Sequence, residues 1–325
     1  MHGFRWGLLL LAAGLATGCS ELPEAPGAQR FEFALIGDVP YQALPGEDDE
    51  VMTRLVAALN TEKTIEWILH SGDIKGTIPC SDEVYRDRLS RFRQFNKPFL
   101  LTPGDNDWTD CHRRELGAFD PIERLAQLRA VFYADVSQQF GNQRLGLISQ
   151  SGDPRYAEFS EHLRWVKHDI VFATLHVVGS ENGLRGFSGR TGASDEEVSR
   201  RITAAIAWMD ETFRVAREHN SPGVFLLMHA NPGLEFRQYR DSRDGFIEIL
   251  AALERNIVAY GRPVVLAHGD THYFRIDKPR VATGNFLPNF TRVENFGPLE
   301  AQWVRITVEP HSPEVFSFEA VTADH

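Results

Sequence analysis

Leu100-Leu101-Thr102-Pro103-Gly104-Asp105-Asn106-Asp107 is an apolar run that stops at a Pro-Gly corner and at once presents carboxylates. Such a stretch reads as a buried strand whose closing turn aims Asp105 and Asp107 off the sheet edge. The device recurs in Phe33-Ala34-Leu35-Ile36-Gly37-Asp38, Trp67-Ile68-Leu69-His70-Ser71-Gly72-Asp73 and Val264-Val265-Leu266-Ala267-His268-Gly269-Asp270, and Val224 to His229 closes a further apolar run with histidine. In an open α/β sheet the carboxyl ends of the strands form the ligand crevice, so these corners would bring acids and imidazoles to one place. That is a metal site in outline. The bland reading, that Gly-Asp corners are helix caps and turns, accounts for one or two of them. It does not account for imidazoles arriving at the other strand ends.

Between these strands the apolar spacing is helical. Val51, Leu55, Ala58 and Leu59 form one stripe; Leu89, Phe92 and Phe95 form another within a helix near Glu83 to Phe95. Ile122, Leu125, Leu128 and Phe132 follow, then Ile202, Ala205, Ile206, Met209 and Phe213 in the longest helical stretch, Ser194 to Glu218. A last helix lies near Gly245 to Ala259. Strands alternating with helices predict a parallel sheet with helices outside. From Asp135 to Arg164 the pattern weakens, which reads as a surface insertion with an ordinary turn at Gly152-Asp153. Beyond Asp270 the period becomes two: Val304, Ile306 and Val308 face one way, Trp303, Arg305 and Thr307 the other. This β-rich end predicts a second sheet stacked on the first.

The front end is of another kind. A short basic region and the apolar Leu8 to Ala16 read as a signal peptide over 1–18 that ends at Ala16-Thr17-Gly18-Cys19. This boundary resembles the lipobox of bacterial lipoproteins, which implies acylation of Cys19, membrane attachment through that lipid and a place in the cell envelope facing the periplasm or exterior. Residues 19–30, rich in Pro, Glu and Ala, read as anchor and tether, leaving 31–325 as one domain. Lys and Arg number 34 against 45 Asp and Glu, a net charge of −11. With no basic block either, nucleic acid is excluded as the expected partner. With Cys19 lipidated, Cys80 and Cys111 remain, each a few residues past a Gly-Asp corner. In an oxidising compartment such a pair is a candidate disulfide, the alternative being two buried thiols.

In order, Asp38, Asp73, Asp105, His229, Asp270 and His272 resemble the calcineurin-like metallophosphoesterase superfamily, whose signature is D-x-H, G-D, G-N-H-D/E, a histidine and G-H-x-H. The resemblance spans Phe31 to Val321 and implies an α/β/β/α sandwich of two sheets and outer helices. It also implies two divalent metal ions, Asp73 between them, Asp38 and His272 on one, and Asp105, His229 and Asp270 on the other. Asn106 and Asp107 fall at the catalytic positions of the third motif. The departures are specific: Pro40 and Tyr41 where D-x-H has its histidine, Asp105 and Asn106 at the Asn-His pair, and Asp270 at the first histidine of G-H-x-H. Oxygen-rich donors favour Mn or Mg, and mixed His and carboxylate sites also accept Zn and Fe. The implied reaction is hydrolysis of a phosphate mono- or diester of a small molecule. Asn106 cannot donate a proton as a histidinium does. Tyr41 reads as a phenolate ligand, a hydrogen-bond donor or a plain turn residue; His268 as support for Asp270, or as a ligand in its place if the turn is shifted; Lys75, His112 and His176 as groups for phosphate charge or proton supply, or as packing. A non-catalytic envelope lipoprotein that keeps the fold and binds a ligand or partner is the other class of reading.

Overall fold

A computed structural model describes residues 30–136, 144–234, 244–281 and 283–323. The lipobox cysteine Cys19, the signal segment and the tether up to residue 29 lie outside the described residues. Among the described residues no helix is long and apolar enough to cross a membrane.

The chain forms two sheets. β1 (Phe31–Ile36), β2 (Ile65–His70) and β3 (Phe99–Leu101) run parallel; β11 (Gln302–Val308) pairs antiparallel with β1 and β12 (Phe316–Thr322) with β11, in the order β12-β11-β1-β2-β3. The second sheet takes the order β4-β5-β6-β7-β8-β10-β9. Its members are β4 (Ile148–Ser149), β5 (Leu163–Lys167), β6 (Ile170–Thr174), β7 (Val224–Leu227), β8 (Val264–His268), β9 (Arg275–Asp277) and β10 (Phe290–Glu294). Within it β6, β7, β8 and β10 are mutually parallel.

Three apolar layers hold the sandwich together. Between the sheets Phe33 stacks on Trp67 at 5.0 Å, and Phe172 and Phe225 meet Phe33 edge-on at 5.5 and 5.0 Å. Offset and edge-on ring pairs suit the aromatic quadrupole and pack without voids. Outside the first sheet lie α1 (Glu50–Thr61), α2 (Asp82–Phe92) and α3 (Pro121–Phe132), with the predicted stripes Leu55, Leu59, Phe92, Leu125, Leu128 and Phe132 buried. Outside the second lie α5 (Gly192–Glu218) and α6 (Ile247–Tyr260), burying Ala205, Met209 and Phe213. The α/β/β/α arrangement is therefore the one expected. Starts and stops follow local chemistry: Asp49 caps α1 through Met52 N at 2.8 Å, Asp120 caps α3 ahead of Pro121, and left-handed Gly261 ends α6.

Two expectations change. Of the strands beyond Asp270, β9 and β10 join the second sheet as expected, whereas β11 and β12 widen the first, with Val304, Ile306 and Val308 in the layer between sheets and Trp303 under the helices. Alternation tells a half-buried strand from a helix but not which edge it joins. The weak stretch before Arg164 also holds β4 and the start of β5, whose Trp165 is buried against Phe172 at 5.2 Å. Asp153 sits in a short turn and binds Arg155, as a turn residue should.

Cys80 and Cys111 are disulfide-bonded, Cα to Cα 5.8 Å, closing a separation of 31 residues. The bridge ties the loop after β2 to the loop after β3, and both sulfurs rest 3.8 Å from the Asn106 carbonyl oxygen. Loop-closure entropy for that length is worth about 3–4 kcal/mol. The double variant C80A/C111A should lose that much in denaturant unfolding. Equal midpoints for the two proteins would mean the bridge stabilises nothing.

Candidate metal centre

The parallel strands of both sheets end on the same side. Asp38 follows β1, Asp73 follows β2, Asp105 follows β3, His229 follows β7, and Asp270 and His272 follow β8. Three of these converge: ligand atoms of Asp73, Asp105 and His229 lie within 4.8 Å of one another, all buried. His229 Nε2 is 3.2 Å from Asp105 Oδ1, 3.3 Å from Asp73 Oδ1 and 3.9 Å from Asp270 Oδ1. Its Nδ1 donates to Ser71 O at 2.8 Å, which fixes the ring and leaves Nε2 toward the carboxylates. A second group forms beside it, where His272 Nε2 faces Asp38 Oδ1 at 3.2 Å.

The backbone makes room at some cost. Asp38, Asp73, Asp270 and His272 have φ of 58, 56, 81 and 57°, left-handed values that side-chain-bearing residues rarely adopt. Gly179 is needed for space, since a Cβ there would lie 2.7 Å from Asp105 Oδ2 and 2.8 Å from Asp270 Oδ1. It opens α4 (Gly179–Asn182), a single left-handed turn held by buried Arg201, which donates to Asn182 O at 3.0 Å.

Burial and mutual repulsion set the charge state of the cluster. Burial, reinforced by Asp105, Asp107 and Asp38, holds the Asp73 carboxyl well above the usual range against the pull of His229. Burial pushes Asp270 up to about 7. Asp105 is also buried, yet His229 and Ser180 hold it below the ordinary value. His229 resists the desolvation that would discharge it, because Asp73, Asp105 and Asp270 draw it to the charged form. Asp38 Oδ1 is buried without a well-formed hydrogen bond. Three buried carboxylates and the half-buried Asp270, facing two imidazoles, suit a divalent cation, whose charge offsets their mutual repulsion. The donor set thus fits a metal ion.

Other predicted residues go elsewhere. Asp107 does not leave the sheet edge; its carboxylate turns back to accept Gly104 N at 2.7 Å, Ile74 N at 2.8 Å and Asp73 N at 3.2 Å, clamping the two ligand loops together. Asn106 stays at the mouth, where Nδ2 donates to Asp73 Oδ2 at 2.6 Å and to the Tyr41 hydroxyl at 3.0 Å. Lys75 is fully buried, donates to Gly76 O at 3.1 Å, and is brought down to about 8 by desolvation against the pull of Asp107 and Asp73. It sits beneath the cluster rather than facing the crevice. His268 bonds Gly269 O, the carbonyl just before Asp270, at 3.0 Å, and its Nε2 lies 4.0 Å from Glu294. His112 bonds Thr109 O at 2.8 Å and stacks on Phe187 at 4.0 Å, apart from the cluster.

His176 is buried away from the crevice, accepting from Trp108 Nε1 at 3.1 Å and donating from Nδ1 to Glu161 at 2.7 Å. Desolvation lowers it to about 4, so it is neutral and supplies no proton at neutral pH. Burial raises the Glu161 carboxyl, but the Arg129 charge and the His176 hydrogen bond outweigh it and hold the group below its usual value. That stabilisation is present above the unfolded value of about 4.3 and is lost as pH falls through the folded one. Glu161→Gln should lower stability at neutral pH by about 3 kcal/mol, with the gap to wild type narrowing below about pH 4. A gap that holds constant into acid would mean Glu161 is not ionised in the fold.

The sequence reading missed Ser180, Asn231 and Asn295. Ser180 Oγ lies 2.7 Å from Asp105 Oδ2 and 2.8 Å from Asp110 Oδ1; Asn231 N donates to Asp270 Oδ2 at 3.0 Å. Asn295 Nδ2 donates to Asp38 Oδ2 at 3.1 Å while its Oδ1 accepts from Ser71 Oγ at 2.7 Å. Val177-Val178-Gly179-Ser180 repeats the apolar-run-then-glycine device, and Asn295 closes β10. Both were therefore legible to a search that admitted neutral polar groups.

No family model and no curated protein matches the sequence. Among solved structures, the phosphopantetheinyl hydrolase of Mycobacterium tuberculosis aligns over 84% of this chain and 91% of its own at 12% identity and a TM-score of 0.38. A cold-active protein-tyrosine phosphatase of a psychrophilic Shewanella aligns over 89% and 80% at 12% identity and a TM-score of 0.31. A protein of unknown function from Aquifex aeolicus aligns over 62% and 80% at 10% identity and a TM-score of 0.22. The functional reading rests on the side chains.

Proposed function

We propose that this chain is a metal-dependent hydrolase of phosphate mono- or diesters, lipid-anchored through Cys19 in a bacterial envelope. The observation that carries the reading is the convergence of Asp73, Asp105 and His229 at adjoining strand ends of two sheets, with Asp38, Asp270 and His272 beside them. Asp105 and His229 would hold one divalent ion together with Asp270; Asp38 and His272 would hold a second, with Asp73 shared. Bound there, such ions supply positive charge for phosphoryl oxygens and make water acidic enough to act as a nucleophile near neutral pH. The chain's own part is orientation: Ser71 O sets the His229 ring, Ser180 and Asn231 steady Asp105 and Asp270, and Asn295 steadies Asp38. The disulfide beneath Asn106 suits an oxidising compartment and so supports the envelope location.

Asn106 engages both Asp73 oxygens, Oδ2 through its side-chain amide and Oδ1 through its backbone N at 3.1 Å, and Oδ1 also faces His229. The number of ions is therefore the discriminating quantity. Elemental analysis of protein purified without chelator, followed by an aryl phosphate and an aryl phosphodiester assay, tests the reading. About two equivalents of Mn, Fe or Zn with turnover support it. Absence of metal even after addition would leave a ligand-binding lipoprotein without catalysis.

A further inference from the structure

We propose that the Tyr41 hydroxyl donates a hydrogen bond to a phosphoryl oxygen held at the cluster, with Asn106 as the residue that aims it. The ester as ligand rests on the hydrolase reading, whereas oxyanion capture itself does not. Tyr41 Oη accepts from Asn106 Nδ2 at 3.0 Å, and the same amide donates to Asp73 Oδ2 at 2.6 Å. The Asn106 side-chain amide thereby spends both its N–H groups, one on the Asp73 carboxylate and one on the phenol. Among the described residues no protein acceptor takes the Tyr41 proton in return, so the O–H is the donor left over at this edge of the site.

Two neighbours crowd the ring: Gly76 lies so close that a Cβ there would come 2.3 Å from Tyr41 Cε1, and His272 meets it edge-on, centroids 5.2 Å apart at 84°. Tyr41 therefore stands between Asn106 with Asp73 and His272 with Asp38, the two halves of the cluster. It also lines, with His272, Phe274 and Phe296, an open groove of about 960 Å³, through which an ester would reach it. Where the related signature places a histidine after Asp38, this chain offers a neutral donor from three residues on.

Calorimetric titration of inorganic phosphate into the metal-loaded full chain tests this, using wild type, Tyr41→Phe, Asn106→Ala and the double variant, with metal content measured on each. A hydrogen bond to a charged oxygen is worth enough that Tyr41→Phe should weaken phosphate by about tenfold or more at unchanged metal content. In the Asn106→Ala background the same change should cost markedly less, because the two groups act as one unit. Phosphate affinity within about twofold of wild type in Tyr41→Phe would make Tyr41 a plain turn residue and overturn the proposal. Loss of metal in that variant would make it a phenolate ligand and overturn it equally. Wild type that binds phosphate through Tyr41 yet cleaves no ester keeps this inference and ends the hydrolase reading; turnover with Tyr41-independent phosphate binding does the reverse. Wild type that neither binds phosphate nor turns over ends both.

Discussion

Asp73→Asn is expected to remove bound metal and to lower aryl phosphate hydrolysis by at least about 100-fold, since even residues that only support a ligand are worth 10–100-fold in such sites. Asp73 belongs to the buried cluster with Asp105 and His229, its Oδ1 turned to His229 Nε2 at 3.3 Å and its Oδ2 engaged by Asn106. The amide keeps the size and one acceptor but loses the charge that attracts a cation. Burial and the neighbouring Asp105, Asp107 and Asp38 all disfavour that charge in the folded chain. After chelation the variant should therefore melt no lower than wild type. Excess metal should raise the wild-type melting temperature alone, because only wild type binds the ligand in its native state. Full turnover in the variant would remove Asp73 from the site. A large loss of stability after chelation would show that the substitution damages the fold rather than the ligand set.

Gly104→Ala should produce the second large effect, for a steric reason. A Cβ on Gly104 would lie 2.1 Å from Asp73 Oδ1 and 2.4 Å from Asp73 N, so relief requires the backbone of the neighbouring loop to move. Overpacking at a rigid contact costs about 2–3 kcal/mol, and here the displaced atom is an oxygen of the candidate metal cluster. Metal binding and stability should fall together. Gly152→Ala is the control, with nothing within 4 Å of its Cβ position, and should change stability by no more than about 0.5 kcal/mol. If Gly104→Ala melts with wild type and retains metal, the loops after β2 and β3 do not approach as closely as described.

Much of this fold could be read along the chain because its signals are local. Leu55, Leu59, Leu125, Leu128, Met209 and Phe213 keep helical spacing and lie buried under their helices; Val304, Ile306 and Val308 keep strand spacing and face the other sheet. Where the local signal was weak, as around Trp165, the strand went unseen. Asp107 shows the other limit. Two residues from Asp105, it presents the same carboxylate in the same turn, but the loop carrying Asp73 and Ile74 lies alongside and its free amides capture the group. His176 and His268 repeat the lesson, since each sits at a strand end and each is turned to a buried partner, Glu161 or the Gly269 carbonyl.

The sequence by itself determined the apolar strands, the helices between them and the habit of ending strands on a glycine and a polar side chain, because periodicity and turn chemistry act over a few residues. Only the tertiary structure decided that β11 pairs with β1 and β12 with β11, and that Asp73, Asp105 and His229 meet while Asp107 and His176 are spent on structure. Those outcomes depend on which buried donor or acceptor lies within hydrogen-bond reach, and the partners come from segments far apart in the chain, as His229 does from Asp105, 124 residues away.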